Sequence, residues 1–279
     1  MHFQVYQSYW GMGALPYGGT EWSMEERLEK IAEGGFDGVE FLMEDKQHRE
    51  AMVPLCDKYH LKRSNIVFPW TAAEFADDIA AAKDGGASHL NLQPMPITRS
   101  VAEPIPYIVR CMDMAADAGL ELFFETHRDR TTTDMYFTLD LIDAVPDMQL
   151  CGDLSHFLVG REFSGPPISA QNQKYMDQIV ERCGAFHGRV ASREQVQVSV
   201  AFPHNKVWFD LFSGWWEHGF RAFRQRAGEN STLTFVVELG PPTYAIQGAD
   251  GQELSDRWQE ALMIKDRVRE IWSRLEAEG

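Results

Sequence analysis

The stretch DAGLELFFETHRDR, residues 117–130, decides the fold. Gly119 closes a helical pattern at the position where a left-handed residue ends helices. Leu120 to Phe124 then form a short apolar run of strand length, and Glu125 ends it. Helix, glycine stop, strand and a polar residue at the strand end make one joint of a larger pattern. The same joint is written as EGGFDGVEF at residues 33–41, DGGASHLNLQ at 84–93 and ERCGAFHGRV at 181–190.

Working outward from these joints, strands are expected to begin near residues 3, 36, 61, 87, 120, 148, 184 and 232, each followed by a helical pattern. Ser23 with Glu26, Thr71 with Glu74 and Ser100 with Glu103 have capping-box spacing, although Pro104 and Pro106 blur the third start. Leu254, Trp258, Ala261, Leu262, Val268, Ile271, Trp272 and Leu275 recur at three- and four-residue steps, an amphipathic final helix. Strict β-α alternation implies parallel strands, and eight such units in 279 residues describe an α/β fold, a (β/α)8 TIM barrel. A doubly wound open sheet is the alternative, but GMGALPYGG after the first strand does not fit the dinucleotide fingerprint G-x-G-x-x-G. No linker or low-complexity segment divides the chain, so residues 1–279 read as a single TIM-barrel domain. The longest irregular stretch, about residues 191–206, follows the seventh strand, where a barrel places an active-site loop.

Composition excludes several function classes. Hydrophobic residues make up 44% of the chain and charged residues 24%, which suits a sizeable core. No apolar run approaches the roughly 18 residues needed for a membrane span, and MHFQVYQSYWGMG has neither the basic nor the apolar region of a secretory signal. The expectation is a cytoplasmic protein with no membrane partner. Cys56, Cys111, Cys151 and Cys183 form no C-x-x-C pair and read as reduced core thiols. With 42 acids against 26 lysines and arginines, the net charge of −16 opposes nucleic-acid binding, and no basic stripe is present.

In a barrel, the residue that ends each strand points into the mouth formed by the βα loops. Strand five ends in Glu125, strand six (MQLCGDLSH) in Asp153 and His156, strand seven (AFHGRV) in His187 and Arg189, and strand eight (LTFVVELGPP) in Glu238. Four consecutive strands therefore each bring a metal-ligand type to one rim. A single acid after a strand is more often a helix cap, and a single histidine more often a core group. Together they read differently, because VVELGPP and FFETHR each set a glutamate against an apolar run, where an unpartnered carboxylate is costly. Three carboxylates and one imidazole suit a hard or borderline divalent ion with open positions. Mn²⁺ is the first expectation, ahead of Mg²⁺, Co²⁺, Fe²⁺ and Zn²⁺.

The motifs GGFDGVEF with Glu40, FFETHRDR with Glu125 and His127, CGDLSHFLVGRE with Asp153 and His156, FHGRV with His187 and Arg189 and then Gln197, and FVVELGPPTY with Glu238 resemble the xylose isomerase-like superfamily. Its members include sugar phosphate isomerases and epimerases, ketose 3-epimerases, inosose dehydratases and endonuclease IV type nucleases. The resemblance in barrel type covers nearly the whole chain, and its specific motifs lie in the second half. It implies that Glu125, Asp153, His187 and Glu238 bind the metal, with Glu125 and Glu238 also serving as catalytic acid and base. It further implies a homo-oligomer. His187 and Glu238 are separated by a long interval containing FPHNKVW, which leaves His204 as an additional or substitute ligand.

The chemistry expected of such a site is proton removal beside a carbonyl. A polyol carbonyl compound chelated through its C=O and adjacent hydroxyl would be polarised, and the enediolate left after loss of the α proton stabilised. Two glutamates reaching different faces then act as bases or acids. His127, His156 and Arg189 are the expected substrate-binding residues, and Trp10, Trp215 and Trp216 are either apolar platforms for a sugar or core residues. The expected function is a divalent-metal-dependent isomerase or epimerase of a ketose or keto-sugar. A lyase or dehydratase of keto-sugars or keto-glycosides is the alternative, with a non-catalytic sugar-binding barrel and an abasic-site endonuclease behind it.

Overall fold

The computed structural model describes residues 1–42 and 46–278. Eight strands close into a barrel in chain order: β1 (His2–Ser8), β2 (Gly38–Leu42), β3 (Lys62–Val67), β4 (His89–Leu92), β5 (Glu121–Glu125), β6 (Leu150–Gly152), β7 (Cys183–Gly188) and β8 (Thr232–Val237). All neighbours are parallel, and β1 pairs with β8 from His2 opposite Thr232 to Gln7 opposite Val237. The connecting helices are α1 (Met24–Glu33), α2 (Lys46–Lys58), α3 (Ala72–Asp84), α4 (Ile105–Ala118), α5 (Met135–Ala144), α6 (Leu154–Gly160), α7 (Ala170–Val180), α8 (Lys206–Arg226) and α9 (Arg257–Glu278). The expected (β/α)8 barrel is therefore the fold, with both α6 and α7 between β6 and β7. No described helix is long and apolar enough to cross a membrane.

Local chemistry accounts for most element boundaries. Ser23 and Glu26 form the full capping box of α1, each side chain bonding the other's backbone N–H. Thr71 caps α3 through the Glu74 N–H, but the Glu74 carboxylate instead accepts from Trp70 N. Ser100 and Glu103 form only a backbone turn, and α4 starts after Pro104. Gly35, Gly86 and Gly119 have φ near +70°, as the glycine stops require. Gly184 is the exception, lying inside β7, where a Cβ would come 2.3 Å from the Phe123 ring. Leu254 stands outside α9 and is exposed, whereas the rest of the stripe from Ala261 to Leu275 is largely buried.

Side chains alternate between the barrel interior and the helix-covered outside. Phe123, Cys151 and Ala185 form an inner apolar layer, and His89 packs edge-on to Phe123. Above that layer the interior turns polar with Glu40, Asn91, Glu125 and His187, all buried. Outside the barrel, α8 packs Trp215, Trp216 and Phe220 toward the strands, with Trp216 5.1 Å from Phe235 between ring centroids. Trp215 and Trp216 are thus core residues and not sugar platforms. Two irregular segments dominate the mouth, residues 189–205 after β7 and residues 238–256 after β8. The second is the longer, contrary to expectation, because the isolated bridge Gln247 to Glu253 is all the regular pairing it contains.

Candidate metal centre

Glu125 is the last residue of β5, His187 lies near the end of β7, and Glu238 immediately follows β8. Asp153 differs from the expected strand end, because β6 stops at Gly152 and Asp153 caps α6, its Oδ1 accepting from Ser155 N at 3.1 Å. The cap leaves Oδ2 turned into the barrel mouth. His156 consequently sits within the first turns of α6, not on a strand. One ligand-type atom from each of Glu125, Asp153, His187 and Glu238 lies within 4.8 Å of the others, and all four residues are buried. Glu125, His127 and His156 form a second group on the same criterion, sharing Glu125.

His187 organises the cluster. Its Nε2 is 2.7 Å from Glu40 Oε1, and its Nδ1 is 3.0 Å from Glu238 Oε2 and 3.7 Å from Glu125 Oε1. Both ring nitrogens face carboxylates, and a proton held on Nε2 by Glu40 would make Nδ1 the nitrogen that gives up its proton to a metal. Glu125 is oriented in turn by Asn91 Nδ2 at 2.7 Å and Gln93 Nε2 at 3.0 Å. Arg189, fully buried, donates to Asp153 Oδ2 at 3.1 Å, Glu238 Oε2 at 2.6 Å and Gln197 Oε1 at 3.3 Å. Gln197 also exchanges two bonds with the Gly240 backbone, fastening the β7 loop to the β8 loop.

Four buried carboxylates, Glu40, Glu125, Asp153 and Glu238, surround one fixed cation, Arg189. That imbalance appears in their proton affinities. Burial lifts the Glu125 carboxyl to about 8, with the Glu238 and Asp153 charges adding to the rise and His187 opposing it. Burial also opposes ionisation of Glu238, but His187 and Arg189 outweigh it and hold this carboxyl down at about 2. Asp153 is likewise drawn well down, burial being outweighed by His156 and Arg189. His187 rises well above its ordinary value because Cys151, Glu238, Glu125 and Glu40 together overcome the cost of burial. An anionic hole with one imidazole nitrogen and several carboxylate oxygens fits a divalent cation in charge and donor type.

Beside the cluster lies a cavity of about 250 Å³, walled by Glu40 and Glu238 at its base and by Trp10, Phe68, Arg130 and Tyr244 among others toward its mouth. His127 and Arg189 both line it. His156 does not: it is buried behind His127, with ring centroids 3.9 Å apart and Nε2 3.4 Å from Asp153 Oδ2. Burial and the neighbouring His156 lower the His127 imidazole to about 3, so it faces the cavity neutral. Arg189 lies 4.6 Å from the Tyr244 ring centroid and 5.7 Å from that of Trp10, and Trp10 lines the cavity. His204 is exposed on the short 3-10 turn Pro203–Asn205 and belongs to neither ligand group.

Sequence reading missed the roles of Glu40, Asn91, Gln93, Arg130 and Tyr244. One signal was available for two of them: HLNLQ alternates polar and apolar residues, which sends His89, Asn91 and Gln93 to one face. Arg130 and Tyr244 lie on loops, where no period exists to be read.

No family model and no curated protein sequence matches the chain. Solved structures do resemble it. A xylose isomerase-like TIM barrel protein from Mycobacterium smegmatis, determined in complex with magnesium, is 13% identical with a TM-score of 0.61, covering 96% of this chain and 97% of that one. A sugar phosphate isomerase/epimerase from Parabacteroides distasonis is 12% identical with a TM-score of 0.57, covering 95% and 97%. An AP endonuclease, family 2, from Brucella melitensis is 14% identical with a TM-score of 0.54, covering 86% and 93%. The fold is therefore a (β/α)8 barrel similar to those of these proteins. Those neighbours bear different activities, so the fold alone selects none of them.

Proposed function

We propose that this protein is a divalent-metal-dependent isomerase or epimerase of a small ketose or keto-sugar. The observation carrying this reading is the buried convergence of Glu125, Asp153, His187 and Glu238, with ligand atoms within 4.8 Å, beside a cavity of about 250 Å³ that Glu238 lines. These four residues would hold the ion, Mn²⁺ being the favoured choice. When bound, the ion supplies Lewis-acid polarisation of a carbonyl and its neighbouring hydroxyl.

The remaining work belongs to the chain. Glu238 forms part of the cavity wall and, held ionised by Arg189, takes the proton from the carbon beside the substrate carbonyl. Glu125 arrives from β5, three strands away around the barrel, and returns a proton from a different side. Neutral His127 hydrogen-bonds a substrate hydroxyl. The Arg189 guanidinium, close to Glu238, helps stabilise negative charge developing on substrate oxygen. Trp10 and Phe68 cover apolar C–H surface and keep bulk water away. The substrate is a carbohydrate, not a nucleic acid, since the net charge of −16 opposes a polyanion.

The test is deuterium wash-in from D₂O into a panel of ketoses and keto-glycosides, with and without chelator. Exchange abolished by chelation and by Glu238→Gln is expected. Tight sugar binding with neither exchange nor product would overturn the enzymatic reading, and release of a β substituent would reassign the protein as a lyase.

A further inference from the structure

The chain carries an excess of acids, and most of its surface arginines are paired with them, as Arg63 is with Asp57, Arg274 with Glu217 and Arg269 with Asp37. Two arginines at the cavity mouth depart from that rule. Arg128 donates Nη2 to the Tyr244 hydroxyl at 2.9 Å and lies 5.3 Å from its ring centroid, and among the described residues it pairs with no acid. Arg130 lines the cavity, and the acid nearest it is Asp129, 3.7 Å away with a side chain 82% exposed. Such a solvated pair contributes little.

Arg130 is nevertheless held in place. Its Nε donates to Gln93 Oε1 at 2.8 Å and its Nη1 to the Asp129 carbonyl at 2.6 Å, and Phe68 lies 5.8 Å from its guanidinium carbon. The following residues anchor the loop: Thr131 N donates to Pro94 O at 2.9 Å, the Thr131 hydroxyl bonds Pro96 O, and the Thr132 hydroxyl bonds Glu125 O. Among the described residues, Nη2 has no bonded partner. A pinned guanidinium with its side chain only 16% exposed, lining a cavity and with Nη2 unengaged, suits a carboxylate, whose two oxygens match the planar donors that remain. A phosphate dianion calls for more donors, and Arg128 is turned to Tyr244.

We infer that Arg130 docks a carboxylate on the substrate, so that the sugar bound is an acidic one of the keto-uronic acid class. This inference rests on the reading of the cavity as the sugar site. Gln93 then has two duties, since its Oε1 fixes Arg130 while its Nε2 orients Glu125 at 3.0 Å. It sets the distance between the carboxylate anchor and the ion site.

The experiment is calorimetric binding of D-fructuronate and D-fructose, which differ by one carboxylate, to the Mn²⁺-loaded protein at low salt. Fructuronate should bind about tenfold tighter or more, the range expected of a charge-assisted pair. Arg130→Ala should abolish the difference and Arg130→Lys should keep only part of it. The quantity compared is the ratio of the two sugar affinities within each Mn²⁺-loaded variant, so a general loosening of the site, which weakens both sugars alike, does not mimic loss of the anchor. Equal affinity for the two sugars, failure of fructuronate to bind, or tighter binding of fructose 6-phosphate than of fructuronate would overturn the inference. So would a preference surviving intact in Arg130→Ala, which would place the carboxylate on the ion. A preference lost with Arg130 but accompanied by no deuterium exchange in any substrate would leave the anchor standing and sink the enzymatic reading alone.

Discussion

Glu40 offers a sharp test of how His187 is prepared for a metal. Glu40 Oε1 lies 2.7 Å from His187 Nε2, both side chains are almost fully buried, and Ser64 Oγ donates to Glu40 Oε2 at 3.3 Å. The carboxylate is therefore fixed and acts through the imidazole, holding the Nε2 proton so that Nδ1 is the nitrogen that gives up its proton to a metal. Hydrogen bonds to a charged group contribute about 1.5–3 kcal/mol, and loss of partners of this kind costs about 10–100-fold in metal affinity. Glu40→Ala should weaken Mn²⁺ binding by that factor. Glu40→Gln keeps an acceptor for the Nε2 proton but not its charge, so it should fall between wild type and alanine. Competition titration against a chelator of known affinity measures both. Mn²⁺ affinity within twofold of wild type in Glu40→Ala would refute the reasoning, as would a glutamine variant weaker than the alanine one.

Other expectations are independent of that pair. His204→Ala should leave Mn²⁺ affinity unchanged in the same titration, because His204 is exposed and apart from both ligand groups; a tenfold loss would return it to the site. His89 is buried and lowered to about 4, mainly by burial, below its unfolded value of roughly 6.5. The unfolded chain therefore binds more protons between these values, and stability should be complete above the unfolded value and fall as pH drops toward 4, by about 3 kcal/mol. Urea unfolding at several pH values should show this acid limb flattened in His89→Gln, and an unchanged limb would exclude His89 as its source. At Gly38, a Cβ would lie 2.6 Å from the Tyr6 ring and 2.7 Å from Lys62 O. Gly38→Ala should lower the unfolding free energy by about 1–3 kcal/mol; an unshifted denaturation midpoint would mean the inner layer is looser than this packing implies.

Much of the architecture was legible because barrels write their joints locally. Gly35, Gly86 and Gly119 mark helix ends by conformation alone, and the apolar runs between them have strand length. Ligand-type residues at strand ends could be read for the same reason, since Glu125, His187 and Glu238 directly terminate or follow apolar strands. Asp153 was found for a partly mistaken reason, as it caps α6 while turning its second oxygen inward. Gly184 misled because a glycine required by the Phe123 ring looks in sequence like a helix stop. The loops were least readable. Arg130 reaches the cavity only because Thr131 and Thr132 tie its loop to Pro94, Pro96 and Glu125, contacts with no sequence period. Tyr244 meets Arg128 across 116 residues, and no local rule anticipates that pairing.

The central claim is that Glu125, Asp153, His187 and Glu238 hold one divalent ion, and anomalous diffraction from crystals grown with MnCl₂ addresses it directly. A single manganese peak about 2.0–2.5 Å from a carboxylate oxygen of each acid and from His187 Nδ1 is the expected result. A peak displaced to His204 or the surface, or no peak within the barrel mouth at saturating Mn²⁺, would contradict it.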